Sequence, residues 1–359
     1  MSKFIRKIML WSHRWLGIIV GLHFVLLGLS GSYLIYSDEI ESVFRKDVKV
    51  ASAAPQNIEL EKAIRNAQAG LGVQVTPMSI GVASKETNYN HELMFNIPQE
   101  EQKRRFVTAY IDATTQEFKG ASVYKETLTG FLFVFHHDLF SGPTGRTFVA
   151  VTGVLSLILL LGGLYLWWPK GDKTWKRVLR YNQQRTFLGT NLELHKVVGF
   201  YSLILMIIVT FSGIYLARSD WFFPRKAEVQ GSFVAKSSET AAPDFGKLQI
   251  SLNPLLETNE IAQIRVDAKT GNILGLARQK DLGISGWEWD GQTGDLLATK
   301  YLKDRTFEKQ FGDLQRDWHF GHFWGELGRF LIFLSGILPL FFYVTGFYVW
   351  FKKRSIKVR

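Results

Sequence analysis

The stretch WSHRWLGIIVGLHFVLLGLSGSYLIY places two histidines, His13 and His23, inside or at the mouth of an apolar run. Five more lie in similar settings: His136, His137, His195, His319 and His322. The eighth, His91, falls in a strand-like stretch and is assigned no role. Imidazole carries a proton near neutral pH, ligates zinc or copper, and holds haem iron axially. An ionisable ring in a bilayer is costly and is a functional candidate by default. The chain has no cysteine. That excludes disulfides, thiolate metal sites, cysteine-held iron–sulfur clusters and haem attachment through C-x-x-C-H. A redox group must then be held by His, Met, Tyr or carboxylate.

The histidines recur at one spacing. Aligning His13 with His195 sets HRWLG over HKVVG, Ser30-Gly31 over Ser212-Gly213 and Tyr33 over Tyr215. Aligning Arg146 with Arg329 sets His136 over His319, Gly145 over Gly328, Gly153 over Gly336, Gly163 over Gly346 and Trp167 over Trp350. The two offsets differ by one residue, so the chain reads as two copies of one unit in parallel orientation. The matched glycines, Gly17 with Gly199 and Gly31 with Gly213, read as close helix packing.

A two-fold arrangement brings His13 to His195 and His136 to His319, at opposite ends of a bundle. Bundle cores bind cofactors through side chains from facing helices. Bis-histidine b-type haem uses these facts together; a zinc or copper site and a proton relay are the alternatives. His23 lies about 15 Å deeper than His13 along the helix and has no histidine counterpart. His137 and His322 accompany the outer pair. Arg146 and Arg329 stand ten residues past the outer histidines. They suit haem propionates, since arginine pairs with carboxylate, and they equally suit snorkelling to the interface.

Four apolar runs must position these residues: 15–36, 146–168, 194–217 and 329–351. Each is long enough to span a bilayer, which takes about 20 residues. Mean hydropathy is only +0.02, because polar segments offset the spans. The first run is expected to be an uncleaved anchor: Tyr36, Ser37 and Asp38 follow it, and the cleavage-like ASAAP at 51–55 lies well beyond.

The net charge of +11 is concentrated in three places. Lys3, Arg6 and Lys7 precede the first run. Lys170, Lys173, Lys176, Arg177, Arg180 and Arg185 fill the short middle loop. Lys352, Lys353, Arg354, Lys357 and Arg359 form the tail. The positive-inside rule makes that side cytoplasmic, which accounts for the charge without nucleic acid and leaves lipid as the surrounding partner.

The expected fold is an α-helical integral membrane protein with four transmembrane helices and two α+β extracytoplasmic domains. Segment 1–36 is the N-terminus and first helix, 37–145 the first outer domain and 146–168 the second helix. Segment 169–193 is a basic loop, 194–217 the third helix, 218–328 the second outer domain, 329–351 the fourth helix and 352–359 a basic tail. In the outer segments AYIDATTQEFKG (109–120), IRVDAKTGNILG (264–275) and WEWDGQTGDLLA (287–298) read as hairpins. IELEKAIRNAQAG (58–70) reads as a helix ending in Gly.

Four segments taken in order carry a family resemblance: SHRWLGIIVGLHFVLLGLSGSYLIY, HHDLFSGPTGR with GGLYLWWPK, ELHKVVGF with FSGIYL, and WHFGHFWGELGR with TGFYVWFKK. They resemble the membrane segments of PepSY-associated TM helix proteins, and the likeness covers nearly the whole chain. The outer domains resemble PepSY modules through the D-x-x-T-G turn at Asp267-Ala268-Lys269-Thr270-Gly271; the turn at Asp112 has Gln116 in place of the Gly. The resemblance implies a haem-carrying bacterial inner-membrane ferric-siderophore reductase that reduces Fe(III) chelates at the periplasmic face; the symmetry of the repeat implies two haems b, with one as the alternative. It carries the family histidines onto His13, His136, His195 and His319, with His23, His137 and His322 as additions. No G-x-G-x-x-G stretch is present, so an electron donor must be external, cytoplasmic or quinone. The rival reading is a non-enzymatic membrane protein whose PepSY modules bind a peptide or regulate a partner. A cation permease is disfavoured, because helices two and four carry no Asp, Glu or Lys at mid-depth; their Thr152, Ser156, Ser335 and Thr345 read as packing hydroxyls.

Overall fold

The computed structural model describes residues 3–84, 89–98, 104–169, 179–223, 242–258, 260–267, 270–278 and 284–357. Lys170, Lys173, Lys176, Arg177 and Arg359, and Ala268 and Lys269 of the D-x-x-T-G turn, lie outside the described residues. The principal helices are α1 (Lys3–Ile35), α2 (Ser37–Phe44), α3 (Leu60–Leu71), α4 (Leu128–Asp138), α5 (Gly142–Trp167), α6 (Phe187–Ala217), α7 (Phe245–Glu257), α8 (Phe307–Phe320) and α9 (Gly325–Lys357). The strands are β1 (Ser79–Gly81), β2 (His91–Pro98), β3 (Arg104–Ile111), β4 (Phe118–Val123), β5 (Ile261–Val266), β6 (Ile273–Ala277), β7 (Ile284–Trp289) and β8 (Leu296–Tyr301).

Contacts divide the chain into two compact units. The first takes Met1–Tyr36, Leu132–Lys226 and Glu308–Arg359. It holds four stretches long and apolar enough to cross a membrane: Lys3–Ile35, Gly142–Trp167, Phe187–Ala217 and His322–Arg354. The first begins a dozen residues ahead of the apolar run, because no Gly or Pro interrupts the basic segment before Gly17. Thr186 opens α6 by accepting from the Gly189 N–H at 3.1 Å, and Pro143 sits in the first turn of α5.

Helix α1 packs on α9 and α5, and α6 packs on the same two. Small residues permit the α1–α9 crossing: a Cβ on Gly28 would lie 2.4 Å from the Gly336 carbonyl oxygen. At that crossing Ser32 donates to the Phe333 carbonyl at 2.8 Å.

The short helices α4 and α8 precede α5 and α9 and carry His136 and His319 near their ends. After α4 the chain reverses through Leu139 and Phe140, both left-handed at φ 51 and 59. That conformation is costly for bulky side chains. After α8 the turn uses Gly321 and Gly325, at φ 76 and 56, where it costs little.

The second unit takes Ser37–Phe131 and Ala227–Phe307. Its strands form one antiparallel sheet in the order β4-β3-β2-β1-β5-β6-β7-β8. Pairing of β1 with β5, Ile80 opposite Ile264, joins strands of the first long loop to those of the second. The stretches read from sequence as two α+β modules therefore share one sheet and one core. Helix α3 buries Leu60, Ala63, Ile64 and Ala67, at helical spacing, and α7 buries Phe245, Leu248, Leu252 and Leu256. They pack with Ile80, Phe95, Ile264 and Trp289 of the sheet in one cluster. Gln249 of α7 accepts from the Leu60 N–H at 2.7 Å and donates to the Ile58 carbonyl at 3.1 Å, capping α3.

Aspartates close the hairpin turns. Asp112 accepts from the N–H groups of Thr114 and Thr115, and Asp290 from those of Gln292 and Thr293. The fifth turn position is left-handed each time: Gln116 at φ 64, Gly271 at 76, Gly294 at 75. Asp112 also receives the N–H and hydroxyl of Ser52 at 3.1 and 3.0 Å, which pins the ASAAP stretch to the β3–β4 turn.

Candidate cofactor site

Helices α1 and α6 bring His13 and His195 together, with ring centroids 6.4 Å apart and planes at 87°. Helices α4 and α8 bring His136 and His319 together, at 6.1 Å and 46°. A metal–imidazole bond is about 2.0 Å, and the ring centroid lies about 1 Å behind the nitrogen, so two rings on opposite sides of one metal stand about 6 Å apart. Two imidazoles on one metal can stand at any angle about the axis through it, so either interplanar angle is compatible with such a pair.

All four rings are held by Nδ1. His13 Nδ1 lies 3.1 Å from the Leu159 carbonyl, and His195 Nδ1 lies 2.7 Å from the Thr345 hydroxyl. His136 Nδ1 lies 2.8 Å from the Leu27 carbonyl and 3.2 Å from the Ser30 hydroxyl. His319 Nδ1 lies 3.1 Å from both the Val209 carbonyl and the Ser212 hydroxyl. A carbonyl accepts only, so the Nδ1 facing one carries the proton. Nε2 then remains as the nitrogen with a lone pair to offer.

Glycines seat the rings. The closest side-chain atom to a Cβ placed on Gly31 is His136 Cε1; on Gly213 it is His319 Cε1, on Gly163 His13 Cε1 and on Gly346 His195 Cε1. Two buried hydroxyls, Ser156 on α5 and Thr210 on α6, have no hydrogen-bond partner among the described residues. Buried polar atoms are ordinarily paired, so these two hydroxyls are exceptions.

The donor sets separate the metal readings. A zinc site takes three or four protein ligands. Among the described residues no group of three or more His, Cys, Asp or Glu could hold a metal ion. Two imidazoles per site suit a metal whose other ligands come with it, as a porphyrin supplies them to iron. By this test the residues fit haem.

The remaining candidates belong to neither pair. His23 is half-buried with its ring 5.4 Å from Phe148, and has no hydrogen-bond partner among the described residues. His137 stacks on Phe133 and faces the Asp138 carboxylate at 3.4 Å. His322 stacks on Phe320, with Asp317 at 3.9 Å. Arg329 donates to the Ile35 carbonyl at 2.7 Å and to Glu326 at 2.8 Å, and lies over the Tyr36 ring. Arg146 is half-buried and makes no hydrogen bond or ion pair among the described residues.

The family model of the PepSY-associated TM region matches residues 10–353, a span that includes both histidine pairs and all or most of each apolar helix. The chain belongs to the PepSY-associated TM family. A search of curated proteins finds no match. Within this PepSY-associated TM chain, sequence reasoning missed the ring-holding groups. Ser30 and Ser212 were visible as matched positions beside matched glycines, and Thr345 as one polar residue in an apolar helix. The carbonyls of Leu27, Leu159 and Val209 left no side-chain signal at all.

Proposed function

We propose that the protein is a haem b reductase of the bacterial inner membrane. It passes electrons across the bilayer to ferric chelates, siderophores among them, at the periplasmic face, and so releases Fe(II). The observation that carries this reading is the pair of two-imidazole sites, each at metal-bridging separation with every Nδ1 engaged. The reading takes the chain as a parallel two-fold repeat, with termini and basic loop cytoplasmic and both long loops periplasmic. The clustering of Lys and Arg supports that orientation.

His13 with His195, and His136 with His319, would each hold one haem b. Bound haem supplies a one-electron iron couple that no side chain here possesses. The protein's part is to orient. Carbonyls and hydroxyls fix each ring and keep its proton on Nδ1, and the apolar helices exclude water around it. On α1 the residues facing the two sites, His13 and Leu27, are 14 positions apart, about 21 Å of helix. Two sites therefore stand at different depths of a hydrocarbon layer about 30 Å thick. Reduction of the substrate's iron weakens its hold by hard oxygen ligands, which releases it. The donor is external, a cytoplasmic reductant or a quinone.

The test is a visible spectrum of the purified protein in mild detergent, oxidised and dithionite-reduced, with a pyridine haemochrome for stoichiometry. Two haems b per chain are expected, and His13→Ala and His136→Ala each remove one. A colourless protein from haem-replete cells overturns the reading. The outer sheet unit would then be pursued as a peptide- or partner-binding module.

A further inference from the structure

The four imidazoles are not held alike. His13, His136 and His319 each have Nδ1 on a backbone carbonyl, those of Leu159, Leu27 and Val209. Ser30 and Ser212 add a second contact to the last two. His195 has no carbonyl partner among the described residues; its Nδ1 partner is the Thr345 hydroxyl. That hydroxyl is itself oriented. It lies 2.8 Å from the Phe341 carbonyl and 3.2 Å from that of Phe342, one turn back on α9, and donates its proton there. An oxygen that has given up its proton to a carbonyl meets Nδ1 as an acceptor. The Asn191 amide, from the first turns of α6, donates to the Thr345 carbonyl at 2.9 Å and ties this part of α9 to the helix that carries His195. Both Asn191 and Thr345 are buried, so water does not replace these bonds when they are lost.

We propose that Thr345 is a positioning residue for the His13–His195 site alone: it fixes the His195 tautomer and lowers the reduction potential of the iron held there. This rests on the haem reading above. An imidazole whose N–H is bonded to an acceptor is a stronger donor to its metal. Stronger donation favours the ferric state. Removing the acceptor therefore raises the potential. Removing Ser30 or Ser212 does not act in the same way, because a carbonyl remains on Nδ1 in each case. One side chain thus separates His13 and His195, two imidazoles of one site that sequence alignment makes look equivalent.

The experiment is a spectroelectrochemical titration of the full chain in detergent: wild type, Thr345→Val, Thr345→Ser, Ser30→Ala and Ser212→Ala. Loss of this bond is expected to change one redox equilibrium about tenfold, an upward shift of about 59 mV for a one-electron couple. The other potential stays in place, Thr345→Ser restores the wild-type value, and the two serine variants shift less. Loss of one haem in Thr345→Val, regained in Thr345→Ser, also supports the proposal. If Thr345→Val does not accumulate, Thr345→Ala replaces it in the same comparison. Two haems whose potentials ignore Thr345, or move together, overturn the proposal and leave the haem reading standing. A wild type without haem, read before any variant, overturns both.

Discussion

Gly31 lies against the edge of His136: a Cβ placed on it would come 2.9 Å from the ring's Cε1. A real Cβ does not approach a carbon that closely, so the ring would have to leave the Leu27 carbonyl that holds it. The same construction gives 3.1 Å for Gly213 against His319, 3.2 Å for Gly163 against His13 and 3.6 Å for Gly346 against His195. The last is ordinary van der Waals contact. Two effects then compete in a Gly→Ala series. Alanine stabilises a helix interior by up to about 1 kcal/mol, whereas overpacking costs about 1–3 kcal/mol. Gly346→Ala is expected to keep both haems and to melt at or slightly above wild type. Gly31→Ala is expected to lose the haem of the His136–His319 site. Haemochrome stoichiometry and thermal melting check this together; haem loss in Gly346→Ala but not Gly31→Ala would reverse the assignment of these seats.

His91 gives the sheet unit a pH dependence of its own. The ring is fully buried in β2, and Nδ1 accepts from the Ala83 N–H at 3.0 Å, while Nε2 has no partner among the described residues. Burial pushes this imidazole down to about 4; the Asp112 carboxylate pulls it up, and the Arg278 guanidinium pushes it further down. A histidine with a depressed pKa stays neutral in the fold while the unfolded chain takes up a proton near pH 6.5. Its stabilising effect is therefore complete above pH 6.5 and falls away as pH drops toward 4.

At about 1.4 kcal/mol per unit, acidification from pH 7 to 5 removes about 2 kcal/mol. Asp112 acts lower. Burial pushes its carboxyl up, but the N–H groups of Thr114 and Thr115 and both donors of Ser52 outweigh this and hold it below the usual range. Its contribution is lost only below about pH 4. Hydrogen exchange of the β1–β3 amides at pH 7 and 5, corrected for intrinsic rates, should show the weakening. His91→Gln can keep the bond to Ala83 without the titration, and should flatten the difference. An equal difference in that variant rules His91 out as its source.

Much of the helical unit was legible because hydropathy and span length are local properties, and because the repeat set His13 over His195 and His136 over His319. Three features were not. Gly31 and Gly213 were read as helix contacts, since sequence does not distinguish a glycine that meets a backbone from one that meets a ring. Thr345 was grouped with packing hydroxyls, although its Oγ1 faces His195. The pairing of β1 with β5 joins residues far apart in sequence, and no local pattern encodes it.

Gln116 is a fourth case, in which a broken signature conceals a substitution of function. It takes the left-handed conformation that glycine takes in the other turns, at a cost of about 1–2 kcal/mol for a side-chain residue. Its amide oxygen accepts from the Glu59 N–H at 3.2 Å, at the start of α3. Its carbonyl accepts from Asn66 at 2.6 Å. The turn is therefore intact, and the bonds to α3 offset the strain.

The two aligned arginines should behave differently when removed. Arg329 is committed to structure: it closes the end of α1 at the Ile35 carbonyl, pairs with Glu326 and covers Tyr36. A hydrogen bond from a charged donor contributes about 1.5–3 kcal/mol, and helix ends favour such cations. Arg329→Gln is expected to lower the melting temperature and to leave the two reduction potentials close to wild type. Arg146 holds nothing among the described residues, so Arg146→Gln is expected to leave melting unchanged. A cation beside a redox centre favours the reduced state, so if Arg146 meets a haem carboxylate its removal lowers one potential and weakens haem retention. Melting curves and redox titrations of the two variants, run in parallel, separate the roles. Unchanged potentials in Arg146→Gln would return that residue to the interfacial snorkelling role.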